Sequence, residues 1–223
     1  MVPHSGHQCL IYSGAPSRHL PAIAFLLGQK LKENQRCLYM NSPSLVAGMK
    51  SQLAADGVDV HREISRGALV LSSEQHHLSG GWEFDTTMMM EMLERGLEQA
   101  LKDGYLGLWA TGDMAWEFGL ERDFTKLLEY EWRLEEFIRE HPQMGGICQY
   151  HTDTLPREAL RKGLTTHSKL FVNQTLSIIN EKFLRRGSVT PPVAACTDLD
   201  QFIDSVLAQT TMSLAAPLPS SGI

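Results

Sequence analysis

Short apolar runs recur along the chain at 9–13 (CLIYS), 37–41 (CLYMN), 68–72 (ALVLS), 106–111 (LGLWAT) and 146–150 (GICQY), each flanked by Gly, Ser, Asn or Asp. Runs this short and this continuously apolar predict strands buried on both faces, as in a parallel sheet covered by helices. The segments between them carry the helical period. Ile23, Leu26, Leu27 and Leu31 form one stripe, and Pro21 suits the first helical turn, where its missing N–H would be unpaired anyway. Leu45 to Ala55 predicts a shorter helix stopped near Gly57. Asp85 caps a helix that ends at Gly104, and its Met89, Leu93, Leu97 and Ala100 share one face. The cluster of Met88, Met89, Met90 and Met92 therefore reads as core packing rather than as a soft-metal surface.

Asp123 opens a further helix that ends before Pro142, with the acidic run Glu129, Glu131, Glu135 and Glu136 mostly on a solvated face. After 146–150, the stretch 156–167 (PREALRKGLTTH) predicts a short helix, and 169–184 two antiparallel strands turning near Asn173 and Gln174. TPP at 190–192 closes the compact region; 197–209 can form one amphipathic helix, and the Pro/Ser-rich 210–223 reads as disordered. The expected division is a domain over 1–189 and a linker, short helix and tail over 190–223.

Composition narrows the function classes. Hydrophobic content of 43% and charged content of 21% are those of a soluble globular protein. A formal charge of −6, with LRRG at 184–187 as the densest basic spot, argues against direct nucleic-acid binding. No apolar run reaches the roughly 18–20 residues of a membrane span, and MVPHSGHQ lacks the regions of a signal peptide. A cytoplasmic protein without membrane partners is expected. Cys9, Cys37, Cys148 and Cys196 are far apart in sequence, as free thiols in a reducing compartment would be.

The strand, Gly-bearing turn and helix over 9–31 have the layout of a phosphate-binding loop. Such a loop needs G-x-x-x-x-G-K-[ST], because glycines let N–H groups wrap the phosphate, lysine neutralises it and the hydroxyl binds Mg²⁺. Counting from Gly14, the second glycine is His19, the lysine is Leu20 and the hydroxyl is Pro21. A helix N-terminus with Arg18 can still attract an anion, but Mg-ATP hydrolysis is not served. Asp113, after LGLWAT, stands where a strand-end acid or ligand contact would sit.

Taken in order, the motifs resemble the MEDS (methanogen/methylotroph, DcmR sensory) family, a divergent branch of the RecA/KaiC-like fold. They are His7, Cys9 and Tyr12 in H-x-C-x-x-Y, then RCLYMN (36–41), FD (84–85), GLWATGDMAW (107–116), LLEYEWRLEEFI (127–138), GICQYH (146–151) and LTTH (164–167). The resemblance covers 7–186. It implies a three-layer, mostly parallel α/β sheet with a C-terminal β-hairpin, acting as a non-catalytic sensory module. It also implies a small ligand, proposed for the family to be a hydrocarbon derivative, and signalling partners such as a kinase, an anti-sigma antagonist or a transcription regulator. The last ~35 residues are short for an output domain, so output is expected through a separate partner or a homo-oligomer.

Open parallel sheets bind ligands beyond the carboxyl ends of their strands. That rule selects Tyr12, Ser13, Gly14, Arg18 and His19 around the first strand, Asn41 and Ser42 after the second, and Thr111, Asp113 and Trp116 after the fourth. Tyr150 and His151 follow the fifth, and Glu131 is expected to reach the same edge from its helix. The loop 72–85 with His76 and His77 is a surface lid in this reading, hinged at Gly80 and Gly81.

His7, Cys9, Cys148 and His151 are a soft S/N set suited to Zn²⁺ or Cu⁺. Cys148 and His151 fall on opposite strand faces, however, and His7 begins its strand whereas His151 ends its own. No metal site is expected from this set. The functional expectation is a sensor that binds a small organic or nucleotide-like molecule. The alternatives are a KaiC-type ATPase or kinase with a degenerate loop, and a ligand-free oligomerising scaffold.

Overall fold

The computed structural model describes residues 6–79, 83–118, 124–187 and 193–215. In chain order the elements are β1 (His7–Tyr12), α1 (Leu20–Lys32), β2 (Arg36–Met40), α2 (Pro43–Ala55), α3 (Val60–Ser65) and β3 (Leu69–Ser72). There follow β4 (Leu78–Ser79), β5 (Glu83–Phe84), α4 (Thr86–Lys102), β6 (Leu108–Asp113), α5 (Met114–Glu117) and α6 (Leu127–Glu140). The chain continues through β7 (Met144–His151), α7 (Arg157–Thr166), β8 (Lys169–Asn173), β9 (Leu176–Ile179) and α8 (Val193–Ala215).

The main sheet has seven strands in the order β3-β2-β6-β7-β1-β8-β9. All neighbours are parallel except β8 and β9, which form the expected antiparallel hairpin. The five apolar runs are β1, β2, β3, β6 and β7, and they are neighbours because helical crossovers return each strand in the same direction.

Strand alternation sorts the central side chains onto two faces. Register pairs Cys9 with Cys148, Ile11 with Tyr150, Thr111 with Ile147 and Asp113 with Gln149. His7, Cys9, Cys148 and Tyr150 thus share one face, covered by α6 and α7 in a layer that runs from α4 to α8. Tyr12, Thr111, Asp113, Gln149 and His151 share the other, where α1 packs and the Cys37 thiol points to the Leu27 carbonyl. Met89, Leu93, Leu97 and Ala100 are buried, as the helical period predicts for a core stripe.

Several local expectations change. α3 and the short β4–β5 pair add to the elements expected from sequence; six- and two-residue elements carry too little period to read. His77 is not on a surface lid: it is buried, its Nε2–H donates to the Glu117 carbonyl at 2.7 Å, and its ring meets Phe84 and Trp116 edge-on. His76 is exposed, and the hinge positions Gly80 and Gly81, like the helix-opening Asp123 and TPP at 190–192, lie outside the described residues. α8 runs through 210–215, which composition assigns to the disordered tail. It packs on β8, β1 and α7 through buried Leu199, Ile203, Val206 and Thr210.

Candidate functional site

A cleft of about 320 Å³ opens where the strand ends meet. It is lined by Pro16 after β1, Asn41 and Ser42 after β2, Leu45 of α2, Gln75 after β3, Asp113 at the end of β6, Ala115 and Trp116 of α5, His151 at the end of β7 and Thr154 beyond it. A groove of about 870 Å³ between α1, the α2–α3 connection and the β8–β9 turn is larger. Its acidic groups are engaged at helix ends, Asp59 capping α3, Glu63 pairing with Arg66 and Asp56 accepting from Gln52.

Asp113 organises the cleft. It caps α5, with Oδ1 accepting from the Trp116 N–H at 2.9 Å and Oδ2 from the Tyr12 hydroxyl at 3.0 Å. Burial pushes its pKa above the ordinary carboxylate value. Tyr12 stacks on His151 with ring centroids 4.7 Å apart and leans on His19 at 4.0 Å. His151 Nε2 lies 2.9 Å from the Gly14 carbonyl, which fixes the proton on that nitrogen, and the Gly14 N–H donates to Asp153 at 2.9 Å. Gly14 sits at φ +74°, a turn that L side chains resist, and leads into a 3₁₀ turn over Pro16–Arg18.

His19, at the position of a phosphate loop's second glycine, is buried beneath that turn. Its Nε2–H donates to Gln149 at 2.9 Å, Gln149 donates to Thr111 at 2.8 Å, and Thr111 donates to the Ile147 carbonyl at 2.7 Å. Burial lowers the His19 pKa to about 4 against a raising bond to Gln149, so the ring is neutral. His19 therefore brings no positive charge to make up for the lysine missing at Leu20.

Of the residues selected from sequence, Asn41, Ser42, Asp113, Trp116 and His151 line the cleft, with Tyr12, Gly14 and His19 behind them. Ser13 is half-buried and Arg18 exposed, and Thr111 lies beneath the cleft in the hydrogen-bond chain. Tyr150 and Glu131 are corrections. Both point to the opposite face, where the Tyr150 hydroxyl donates to Glu131 Oε1.

That opposite face holds a second cluster. Glu131 and His167 are fully buried, and the donor atoms of His7, Glu131, Cys148 and His167 lie within 4.8 Å of one another. His7 Nε2 is 3.2 Å from Glu131 Oε2 and 3.4 Å from the Cys148 thiol, and its Nδ1 is 3.0 Å from Glu135. Burial lowers the His7 pKa, but bonds to Glu131 and Glu135 and their charge outweigh it and raise it to about 9. Burial and the nearby His7 lower His167 to about 4. The soft set read from sequence is thus divided: His7 and Cys148 belong here, Cys9 is outside the group, and His151 is on the other face.

Sequence reasoning missed Glu131's true place, yet the signal was present. Leu127, Tyr130, Glu131, Leu134 and Ile138 form the buried stripe of α6, so Glu131 sits at a core position of that helix. His167 had only its place in LTTH. Glu117 is a further buried acid, pushed up by burial, packed where a Cβ on Gly112 would lie 1.7 Å from its Oε1.

The strand order, the reshaped loop between β1 and α1 and the cleft beyond the strand ends define a RecA-like α/β domain in which phosphate-binding equipment is replaced by aromatic and imidazole packing. The solved flagellar accessory protein FlaH from Methanocaldococcus jannaschii shares this fold, with a TM-score of 0.51 and 14% identity over 85% of this chain and 84% of that one. Residues 6–168 match the family described as MEthanogen/methylotroph, DcmR Sensory domain, and the chain belongs to this MEDS family of sensory domains. No curated protein sequence matches it significantly. Among the described residues no helix is long and apolar enough to cross a membrane.

Proposed function

We propose that this sensory domain is non-catalytic, takes a small, weakly polar organic molecule into the strand-end cleft, and reports its occupancy to a separate signalling protein. The observation that carries the reading is the lining: Asn41, Ser42, Asp113 and His151 supply hydrogen-bonding groups around Leu45 and Trp116. About 320 Å³ lies at the small end of ligand-pocket sizes. Among the described residues no lysine or arginine lines the cleft, and Asp113 is acidic, which disfavours a triphosphate. Family membership supports the sensory role.

The cleft is tied to an element that can relay its state. Gln75 donates to the Trp116 carbonyl at 2.5 Å, His77 holds the Glu117 carbonyl, and Phe84 stacks on Phe118 at 4.0 Å. A ligand against Trp116 therefore presses on the strap that contains β4 and β5. The partner is a kinase, an anti-sigma antagonist or a transcription regulator in this reading, as the family's habits suggest.

The test is a thermal-shift screen with small halogenated, hydroxylated and methylated carbon compounds beside ATP, ADP, GTP and cyclic nucleotides, with and without Mg²⁺. A ligand at a hundred times its Kd stabilises by about 2.7 kcal/mol. A shift with small organics that Trp116→Ala removes is expected. A shift with Mg-ATP alone, abolished by Asp113→Ala, would replace this reading with nucleotide binding.

A further inference from the structure

The buried cluster on the α6–α7 face is poorly explained as a set of hydrogen bonds. His167 Nδ1 lies 2.6 Å from the Gly163 carbonyl, an acceptor, so Nδ1 carries the proton. The Nε2 lone pair then points at Glu131 Oε2, 3.5 Å away, and this fully buried nitrogen has no hydrogen-bond partner among the described residues. Two acceptors facing each other in a dry interior repel, unless a cation lies between them.

The other groups converge on the same point. His7 holds Glu135 through Nδ1–H and turns Nε2 towards Glu131 Oε2 and the Cys148 thiol, so that on losing its Nε2 proton to an entering cation it offers a lone pair at the same point. A carboxylate on one imidazole and a backbone carbonyl on the other are the outer partners that orient metal-binding histidines. Tyr150 occupies Glu131 Oε1 and leaves Oε2 as the inward oxygen. Four of the six separations among the donors, 3.2, 3.4, 3.5 and 3.8 Å, approximate the edges of a tetrahedron, about 3.3–3.6 Å for metal–N/O bonds near 2.0 Å and metal–S near 2.3 Å, and all six lie within 4.8 Å.

We propose that His7, Glu131, Cys148 and His167 bind one divalent transition-metal ion of the Zn²⁺ class. Two nitrogens, a thiolate and a carboxylate select such an ion over Mg²⁺ or Ca²⁺. Thiolate and carboxylate together neutralise a dication, so the buried site carries no net charge. On loading, the Cys148 thiol proton and any proton on His7 Nε2 leave to solvent; four metal–ligand bonds form and nothing is oxidised. Four protein ligands leave no open position, the pattern of a structural or regulatory site rather than a catalytic one. The ion would fasten β1, β7, α6 and the end of α7 to one another, and the proposal is independent of what fills the cleft.

The test uses the full chain, stripped with a chelator and dialysed against Zn²⁺ or Co²⁺. One ion per chain is expected, with the strong visible bands of four-coordinate Co²⁺ and a thiolate-to-cobalt charge-transfer band. Cys148→Ser should lose the charge-transfer band, whereas Cys196→Ser, which alters the half-buried cysteine of α8, should keep it. Glu135→Gln, which alters a positioning residue, should weaken binding about 10- to 100-fold. Binding below about a tenth of an ion per chain overturns the proposal, as does the weak spectrum of six-coordinate Co²⁺ or a charge-transfer band that survives in Cys148→Ser. Should Cys148→Ser not fold, the stoichiometry and spectrum of the unaltered chain decide the matter alone.

Discussion

The Tyr12 hydroxyl donates to Asp113 Oδ2 at 3.0 Å across β7, the strand that separates β1 from β6. Tyr12→Phe keeps the ring stacked on His151 and removes the donor. A cost of roughly 1–3 kcal/mol is expected, seen as a lower urea midpoint at unchanged m-value. An unchanged midpoint would mean the bond contributes nothing net.

His19 gives the fold a pH dependence with a defined sign. The unfolded chain takes up the imidazole proton near pH 6.5, whereas the folded chain does so only near 4, because burial outweighs the bond to Gln149. Stability is therefore lost as pH falls from 6.5 towards 4, with a ceiling of about 3 kcal/mol. His19→Gln should flatten this part of the curve, measured by urea unfolding at several pH values. His151, stacked on the same Tyr12, is present in both proteins, so the difference reports His19.

Gly163 lets the α7 backbone rest on the Tyr150 ring; a Cβ there would lie 2.3 Å from the ring. Gly163→Ala must displace Tyr150 and with it the bond to Glu131. Denaturant unfolding should show a loss of about 1–3 kcal/mol or more, in contrast to the gain usual for Gly→Ala inside a helix.

Ser42 is half-buried at the cleft and its side chain makes no capping bond to α2. Ser42→Trp should fill much of the 320 Å³ and remove any ligand-induced thermal shift, with the melting temperature of the ligand-free protein nearly unchanged. A retained shift would place the ligand elsewhere.

α8 is held by its apolar face more than by its ion pairs. Ile203 is fully buried, while the Arg161–Asp200 pair is partly exposed. Ile203→Ala should cost about 2–5 kcal/mol and Asp200→Ala no more than about 1 kcal/mol, both read from urea midpoints.

The sheet was legible because each central strand is a short apolar run between turn residues, and helical stripes such as that of Met89, Leu93 and Leu97 are equally plain. The strand-end rule placed Asn41, Ser42, Asp113, Trp116 and His151 around one cleft without any knowledge of contacts. It failed for Tyr150, because side chains alternate and the residue before His151 faces the other way. It failed for Glu131 because an acidic run reads as solvated until the helical stripe around it is counted. The pairing of His167 with His7, their ring centroids 3.9 Å apart, spans most of the chain, and no local pattern announces it.

The two clusters are interleaved on one strand: Cys148 and Tyr150 face α6 and α7, Gln149 and His151 face the α1 side. Because the alternation has a period of two, inserting or deleting one residue in β7 would exchange these environments, sending a thiol and a phenol to the cleft and an amide and an imidazole into the interior. Both chemistries would be lost in a single step. Relatives that keep both are expected to keep this strand in phase and to vary in length only in the loops beyond its ends, a pattern that an alignment of family members can check.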